Sequence, residues 1–135
     1  MRLSLSKTIA LAFSIFGLSL TISPGAEYVD SYQATFSRSD FFSSSGEKLS
    51  GAASIIQQDR ANYYKFNKRD ATDTASQSRF FQSAKNRAKI SAMVNSGVIK
   101  NSDIDSDFDY GTVVEITIMK SNNGQYYLRL TLIAG

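Results

Sequence analysis

The sequence predicts a small α+β domain. An N-terminal strand and a C-terminal hairpin form a small antiparallel sheet, and two main helices pack on one of its faces, in the order β-α-α-β-β. Three observations carry this expectation. Two β-rich runs, Val113 to Met119 and Tyr126 to Ile133, flank the turn-forming stretch Ser121-Asn122-Asn123-Gly124. Leu49 to Phe66 repeats its apolar residues at helical spacing. Tyr28 to Phe36 contains an alternation in which Tyr32, Ala34 and Phe36 share one face. A sheet with one apolar face and a helix with one apolar stripe bury both by packing on each other.

The hairpin register follows from its side chains. A two-residue Asn-Gly turn sets Ile118 opposite Arg129. A three-residue loop, Asn122-Asn123-Gly124 with the glycine left-handed, sets Ile118 opposite Leu128, Ile116 opposite Leu130 and Val114 opposite Leu132. A one-residue slip exchanges the two faces of a strand, so the register with one clean apolar face is the expected one. Glu115 then lies diagonal to Arg129, and Met119 faces Tyr127.

On the first helix, Leu49, Ala52, Ala53, Ile56, Arg60, Tyr63 and Tyr64 fall on one stripe, with Gln57, Gln58, Asp59, Asn62 and Lys65 elsewhere. The second helical region runs from about Thr74 to Ser96, with Thr74 and Gln77 at capping-box spacing and Gly97 as its stop. Its stripe is untidy. Phe81, Ala84, Ala88 and Ala92 share a face, while Ile90 and Val94 sit nearly opposite. Such a pattern fits a helix covered on two sides or a kinked one.

Residues 1–26 read as a cleavable secretory leader. Arg2 and Lys7 precede an apolar run from Thr8 to Ile22, and Ser23-Pro24-Gly25-Ala26 supplies small residues for cleavage. The run is shorter than the ~20 residues that span a bilayer, so no membrane-spanning segment is expected after cleavage. The remainder, 27–135, is expected to be one domain in the periplasm or secreted medium of a bacterium. The chain has no cysteine, which excludes disulfides and a lipid-modified cysteine. Its formal charge of +3 includes Arg2 and Lys7, which leave with the leader. The rest is uneven: the stretch 59–100 is strongly basic, between two mildly acidic flanks.

With no histidine and no cysteine, a Ser-His-Asp triad, a thiol nucleophile and ordinary zinc sites are closed. No phosphate-binding glycine loop or dinucleotide fingerprint occurs. Chemistry by carboxylates alone, or by Ser with a Lys base, stays open, but no spacing supports either. We therefore expect no catalysis and no cofactor.

The remaining candidates concern binding. Asp103, Asp105, Asp107 and Asp109 form a D-x-D-x-D-x-D run where a loop belongs, and flexible carboxylates suit Ca²⁺. An EF-hand loop starting at Asp103 fails, since Phe108 stands at its glycine position and Val114 at its glutamate position. A solvated acidic connection is the plainer reading. The basic middle interleaves cations with aromatics, as nucleic-acid surfaces do. Its charge is modest and its compartment wrong, so an envelope protein or an anionic surface is the expected partner and nucleic acid is not. Arg60 lies in an otherwise apolar stripe, so it either forms a buried ion pair with a neighbouring element or faces a ligand. Asp59, adjacent in sequence, points to another face and is not the expected partner. Of the aromatic doublets, Tyr63-Tyr64 and Phe80-Phe81 place one ring toward the core and the other toward a rim. Arg60, Tyr63, Tyr64, Arg79, Phe80 and Arg87 are accordingly the candidate binding residues. The expected function is a small, non-catalytic binding or accessory protein of the cell envelope. A small-ligand or Ca²⁺ carrier and an enzyme using carboxylate or Ser/Lys chemistry are the alternatives.

Overall fold

The computed structural model describes residues 25–75, 79–95, 103–104 and 109–135. Of the leader, only Gly25 and Ala26 fall among them. The architecture is the α+β arrangement expected. Strand β1 (Glu27–Phe36), strand β2 (Thr112–Lys120) and strand β3 (Tyr126–Ala134) form an antiparallel sheet in the order β1-β2-β3. Helix α1 (Ala52–Tyr64) and two short helices, α2 (Ala84–Arg87) and α3 (Ile90–Asn95), pack on one face.

The hairpin has the register that its side chains require. Ile118 pairs with Leu128, Ile116 with Leu130, Val114 with Leu132 and Met119 with Tyr127. Across β2, Tyr32 pairs with Ile116 and Ala34 with Val114. These residues line the face beneath the helices, where Tyr32, Ala34, Phe36, Val114, Ile116, Ile118 and Leu128 are buried. Each isoleucine so covered contributes roughly 1.5–3 kcal/mol. Leu132 shares their face but is 63% exposed, because the helical layer does not reach the far end of β3. On the opposite face Met119 is only 6% exposed, set in the ladder between Tyr28 and Tyr127.

The turn is the three-residue loop. Ser121 N–H donates to Gln125 O, Gly124 N–H donates to Ser121 O, and Gly124 has a φ of 85°. An added Cβ at Gly124 meets nothing within 4 Å, so any cost of a side chain there is conformational, not steric. Gly124→Ala is expected to lose about 1–2 kcal/mol, the penalty of a left-handed L-residue. Gly124→Asn is expected to lose much less. Urea unfolding of the two variants checks the difference.

Helix α1 starts at Ala52 rather than Leu49. Gly51 has a φ of 85°, and Leu49 N–H is committed to Phe41 O. Residues 41–49 form a pinned loop with a bridge between Phe42 and Lys48. The stripe of α1 is also wider than its apolar spacing implies. Asp59 and Asn62 are buried together with Ile55, Ile56, Arg60 and Tyr63. The helix is covered on a second side by the 3-10 turn Arg38–Phe41, where Asn62 Nδ2 donates to Asp40 Oδ1 (2.8 Å) and Ser39 O (3.2 Å). Asp40 in turn accepts from Ser37 N–H (2.9 Å), which closes a capping box over that turn.

The second helical region is broken rather than continuous. Residues 73 and 74 run beside β1, where Thr74 N–H donates to Gln33 O and Thr74 Oγ1 accepts from Gln33 N–H. Thr74 is therefore no helix cap. Its expected partner Gln77 and the expected stop Gly97 lie outside the described residues. Among the described residues of this region, helical turns begin at Phe80–Gln82, after Arg79 at a φ of 56°. Ser83, in extended conformation, then opens α2 and accepts from Asn86 N–H (3.4 Å). These breaks explain the two opposed apolar sets. Phe81, Ile90, Met93 and Val94 all turn into the core, while Ala84, Ala88 and Ala92 are exposed. A straight helix could not bury both Phe81 and Ile90.

Candidate functional site

The chemistry-bearing side chains of the middle segment gather on α1. Arg60 is 0% exposed and ranks among the largest fully buried side chains. Its Nε donates to Asp59 Oδ2 at 2.7 Å, and Nη1 reaches Thr74 O at 3.4 Å. The Asp59–Arg60 contact is the one ion pair among the described residues. Adjacent helix positions point about 100° apart, which is why Asp59 was not the expected partner. Burial of both sides of α1 lets the two side chains fold toward each other.

Three rings surround this guanidinium. Its Cζ lies 3.9 Å from the Tyr32 ring centroid, 4.7 Å from that of Tyr63 and 5.8 Å from that of Tyr64. A desolvated cation over aromatic faces gains about 2 kcal/mol. From there the aromatic contacts continue in both directions. Arg69 sits 4.3 Å from the Tyr63 centroid and Arg87 6.0 Å from that of Tyr64. Tyr32 meets Phe81 edge-on at 5.9 Å, Phe81 meets Phe80 at 5.1 Å, and Phe80 meets Tyr126 at 5.1 Å. Lys89 and Lys120 each lie 5.7 Å from the Tyr126 centroid. The doubled aromatics thus form a spine through the helical layer, with cations at its centre and both ends.

The electrostatics of the centre are set by burial. Burial raises the Asp59 carboxyl to about 7, against the pull of Arg60 and with a further push from Asp40. Burial also works to lower Arg60, but Asp59 and Tyr32 outweigh it, so the guanidinium keeps its proton. The Tyr32 hydroxyl is pushed up by burial despite Arg60. Burial raises Asp40 as well, opposed by its bonds from Asn62 and Ser37. Arg60 Nη2 and the hydroxyls of Tyr32 and Tyr64 are buried with no hydrogen-bond partner among the described residues. Buried orphans of this kind each cost about 1–3 kcal/mol.

Five of the six candidate binding residues therefore belong to one structure: Arg60, Tyr63, Tyr64, Phe80 and Arg87. Arg60 and Tyr63 are its interior, Tyr64 and Phe80 are half-buried, and Arg87 Nη1 donates to Phe81 O and Gln82 O, both at 2.9 Å. Arg79 stands apart as an exposed residue in the left-handed conformation. Residue spacing missed Asp59 and Tyr32, because their roles depend on tertiary contacts. Of the acidic run, Asp103 and Asp109 are exposed while Ile104 between them is buried; Asp105 and Asp107 lie outside the described residues. Among the described residues no group of three or more acidic side chains converges to hold a metal.

Among the described residues, the surface beside this spine includes two concavities. One, of about 260 Å³, is lined by Phe42, Phe66, Gln58, Asn62, Lys68 and serines 39, 43 and 44. The other, of about 390 Å³, lies between Thr74, Ala75 and the strand residues Ser31, Tyr32, Gln33 and Glu115. Among the described residues no helix is long and apolar enough to cross a membrane. In comparison with known proteins, no family profile, no curated protein and no solved structure matches this chain.

Proposed function

We propose that the chain, once exported, is a non-catalytic binding module of the bacterial cell envelope that docks by its basic helical layer on an anionic surface. One observation carries the reading: most bases of the middle segment that the structure describes face outward, while Asp59 and Asp73 are held by internal partners. Lys65, Lys68, Arg69, Arg79 and Lys85 are exposed, and none forms an ion pair among the described residues. In the same stretch, Asp59 is buried against Arg60. Asp73 accepts from Thr35 N–H and Asp70 N–H, both at 2.8 Å. The exposed surface of this stretch therefore carries more bases than acids. Of these cations, Lys85 lies on α2, and Lys65, Lys68 and Arg69 follow the C-terminal end of α1.

Flotation with vesicles tests the reading. Binding is expected to vesicles containing an anionic phospholipid, to weaken between low and high salt, and to be absent from zwitterionic vesicles. Each lysine at an anionic membrane surface is worth about 1 kcal/mol, so the triple change Lys65→Gln, Lys68→Gln and Lys85→Gln should lower partitioning roughly a hundredfold. Equal binding to both vesicle types, or indifference to salt and to the triple change, overturns the proposal.

A further inference from the structure

At the end of α1 an apolar ring stands among cations, in the run Lys65-Phe66-Asn67-Lys68-Arg69. Phe66 is 40% exposed, and Lys65 and Lys68 beside it are exposed as well. The backbone imposes this exposure. Lys65 N–H and Phe66 N–H both donate to Ala61 O, at 2.7 and 3.1 Å. Asn67 then takes a left-handed φ of 56°, and Lys68 N–H returns to Asn62 O at 2.7 Å. The turn is closed on the helix end and holds the ring at the surface.

Phe66 and Lys68 line the concavity of about 260 Å³ together with Phe42 and the hydroxyl-bearing Ser39, Ser43 and Ser44. Each ring has a cation beside it. Lys65 Nζ lies 5.2 Å from the Phe66 centroid, and Arg38 Cζ lies 4.9 Å from that of Phe42. Among the described residues that line the concavity, none is acidic. Asp40, behind Asn62, is buried and accepts from Asn62 and Ser37. Exposed Glu47 in the adjoining turn has exposed Lys48 next to it. Arg38, Lys65 and Lys68 are thus gathered with two rings from segments distant in sequence.

That combination fits a bilayer interface, where apolar side chains settle just below the headgroups and the stems of lysine and arginine lie along apolar surface while their charged ends reach phosphates. We propose that this end of α1 is where the domain enters an anionic bilayer: Phe66 inserts at the boundary of headgroups and acyl chains, and Arg38, Lys65 and Lys68 hold lipid phosphates around the mouth of the concavity. This placement rests on the docking proposed above and gives it an orientation and an apolar contact. It also keeps the hairpin turn off the membrane. Strand β1 runs from the Glu27–Lys120 pair, beside that turn, to the Phe36–Thr112 pair, beside the 3-10 turn Arg38–Phe41. Ten residues of strand set these two ends about 30 Å apart.

The chain has no tryptophan, so a single introduced one reports its own surroundings. With vesicles of phosphatidylglycerol and phosphatidylcholine, emission of the Phe66→Trp protein is expected to shift to the blue and to be quenched when the acyl chains are brominated. Gln125→Trp, on the exposed hairpin turn, is expected to do neither. Phe66→Ala removes apolar area and no charge. Burial of the 40% of Phe66 that is exposed corresponds to roughly three- to eightfold in partitioning. Unlike the loss from the lysine changes, this loss should be the same at every salt concentration where wild type still binds. If Phe66→Ala fails to fold, as circular dichroism would show, the tryptophan pair decides. Wild type may be recovered with anionic vesicles while Phe66→Trp emission stays unchanged, while Gln125→Trp shifts equally, or while a folded Phe66→Ala partitions as wild type does. Any of these results means that another face meets the bilayer, which overturns this placement and leaves the docking itself standing. Failure of wild type to float with anionic vesicles overturns both.

Discussion

Truncating Arg60 to alanine is expected to cost this fold about 3–5 kcal/mol of stability. The side chain is wholly buried, so its removal opens a cavity between Tyr32, Tyr63 and α1. It also deletes the partner of Asp59 and the bond to Thr74 O that ties residues 73–74 to α1. Breaking a buried pair from one side costs about 3–5 kcal/mol. Small domains hold only about 5–15 kcal/mol in total, and each kcal/mol moves the melting temperature by roughly 4–8 °C. Arg60→Ala should therefore melt at least about 12 °C lower. Arg60→Lys keeps the charge but loses the planar face that lies over Tyr32, and should sit between the two. The informative variant is the double change Asp59→Leu with Arg60→Met. It replaces the pair by apolar volume and removes the orphaned Nη2, so it should be far more stable than Arg60→Ala. Thermal and urea unfolding of wild type, Asp59→Leu, Arg60→Met and the double change forms a double-mutant cycle. Additive losses would mean that the pair is not coupled.

The parts of this fold that were legible beforehand are those where one short-range rule decides. The hairpin is the clearest case. Only one register puts Val114, Ile116 and Ile118 beside Leu128, Leu130 and Leu132, and Gly124 supplies the left-handed residue that its loop needs. Period-two alternation likewise fixed the inward face of β1. The misreadings lie where tertiary contacts override spacing. Asn62 is polar, yet it is buried because Asp40 and Ser39 O meet both of its amide hydrogens. The region after Thr74 kept helical spacing from Ala84 to Ala92, but its large apolar residues decided the outcome. Phe81, Ile90, Met93 and Val94 carry more burial energy than the alanines, and the chain bends to place all four inside.

The candidate site was half legible for the same reason. An arginine among apolar residues announces a compensated burial, and Arg60 is buried and compensated. Its compensation was not legible. Tyr32 lies 28 residues away on another element, and its ring position over the guanidinium follows from the pairing of β1 with β2. Asp59 was set aside because side chains one apart on a helix diverge. That argument holds for a helix with a solvated face, and α1 has turned two faces inward.

The same pair makes stability depend on pH, in the direction opposite to an ordinary surface salt bridge. The Asp59 carboxyl is raised to about 7, first by burial, while its unfolded value is near 3.8. Between these values the folded protein holds a proton that the unfolded chain has released. The contribution is therefore fully present below about pH 4 and is lost as pH rises through about 7. Asp40, raised by burial, acts in the same direction. The groups that face Asp59 do not cancel the effect. Arg60 keeps its charge, Tyr32 stays protonated, and Asp73 adds negative charge. Three pKa units at roughly 1.4 kcal/mol each bound the loss at about 4 kcal/mol. Urea unfolding at pH 5, 6, 7 and 8 should show stability falling through the series. Asp59→Asn cannot ionise, yet it offers Arg60 Nε the same kind of carbonyl oxygen as the protonated acid. Its stability should be nearly flat with pH and should exceed wild type above pH 7. If wild type instead gains stability over that range, Arg60 outweighs burial at Asp59, and the pair is a net source of stability rather than a buried charge held at a cost.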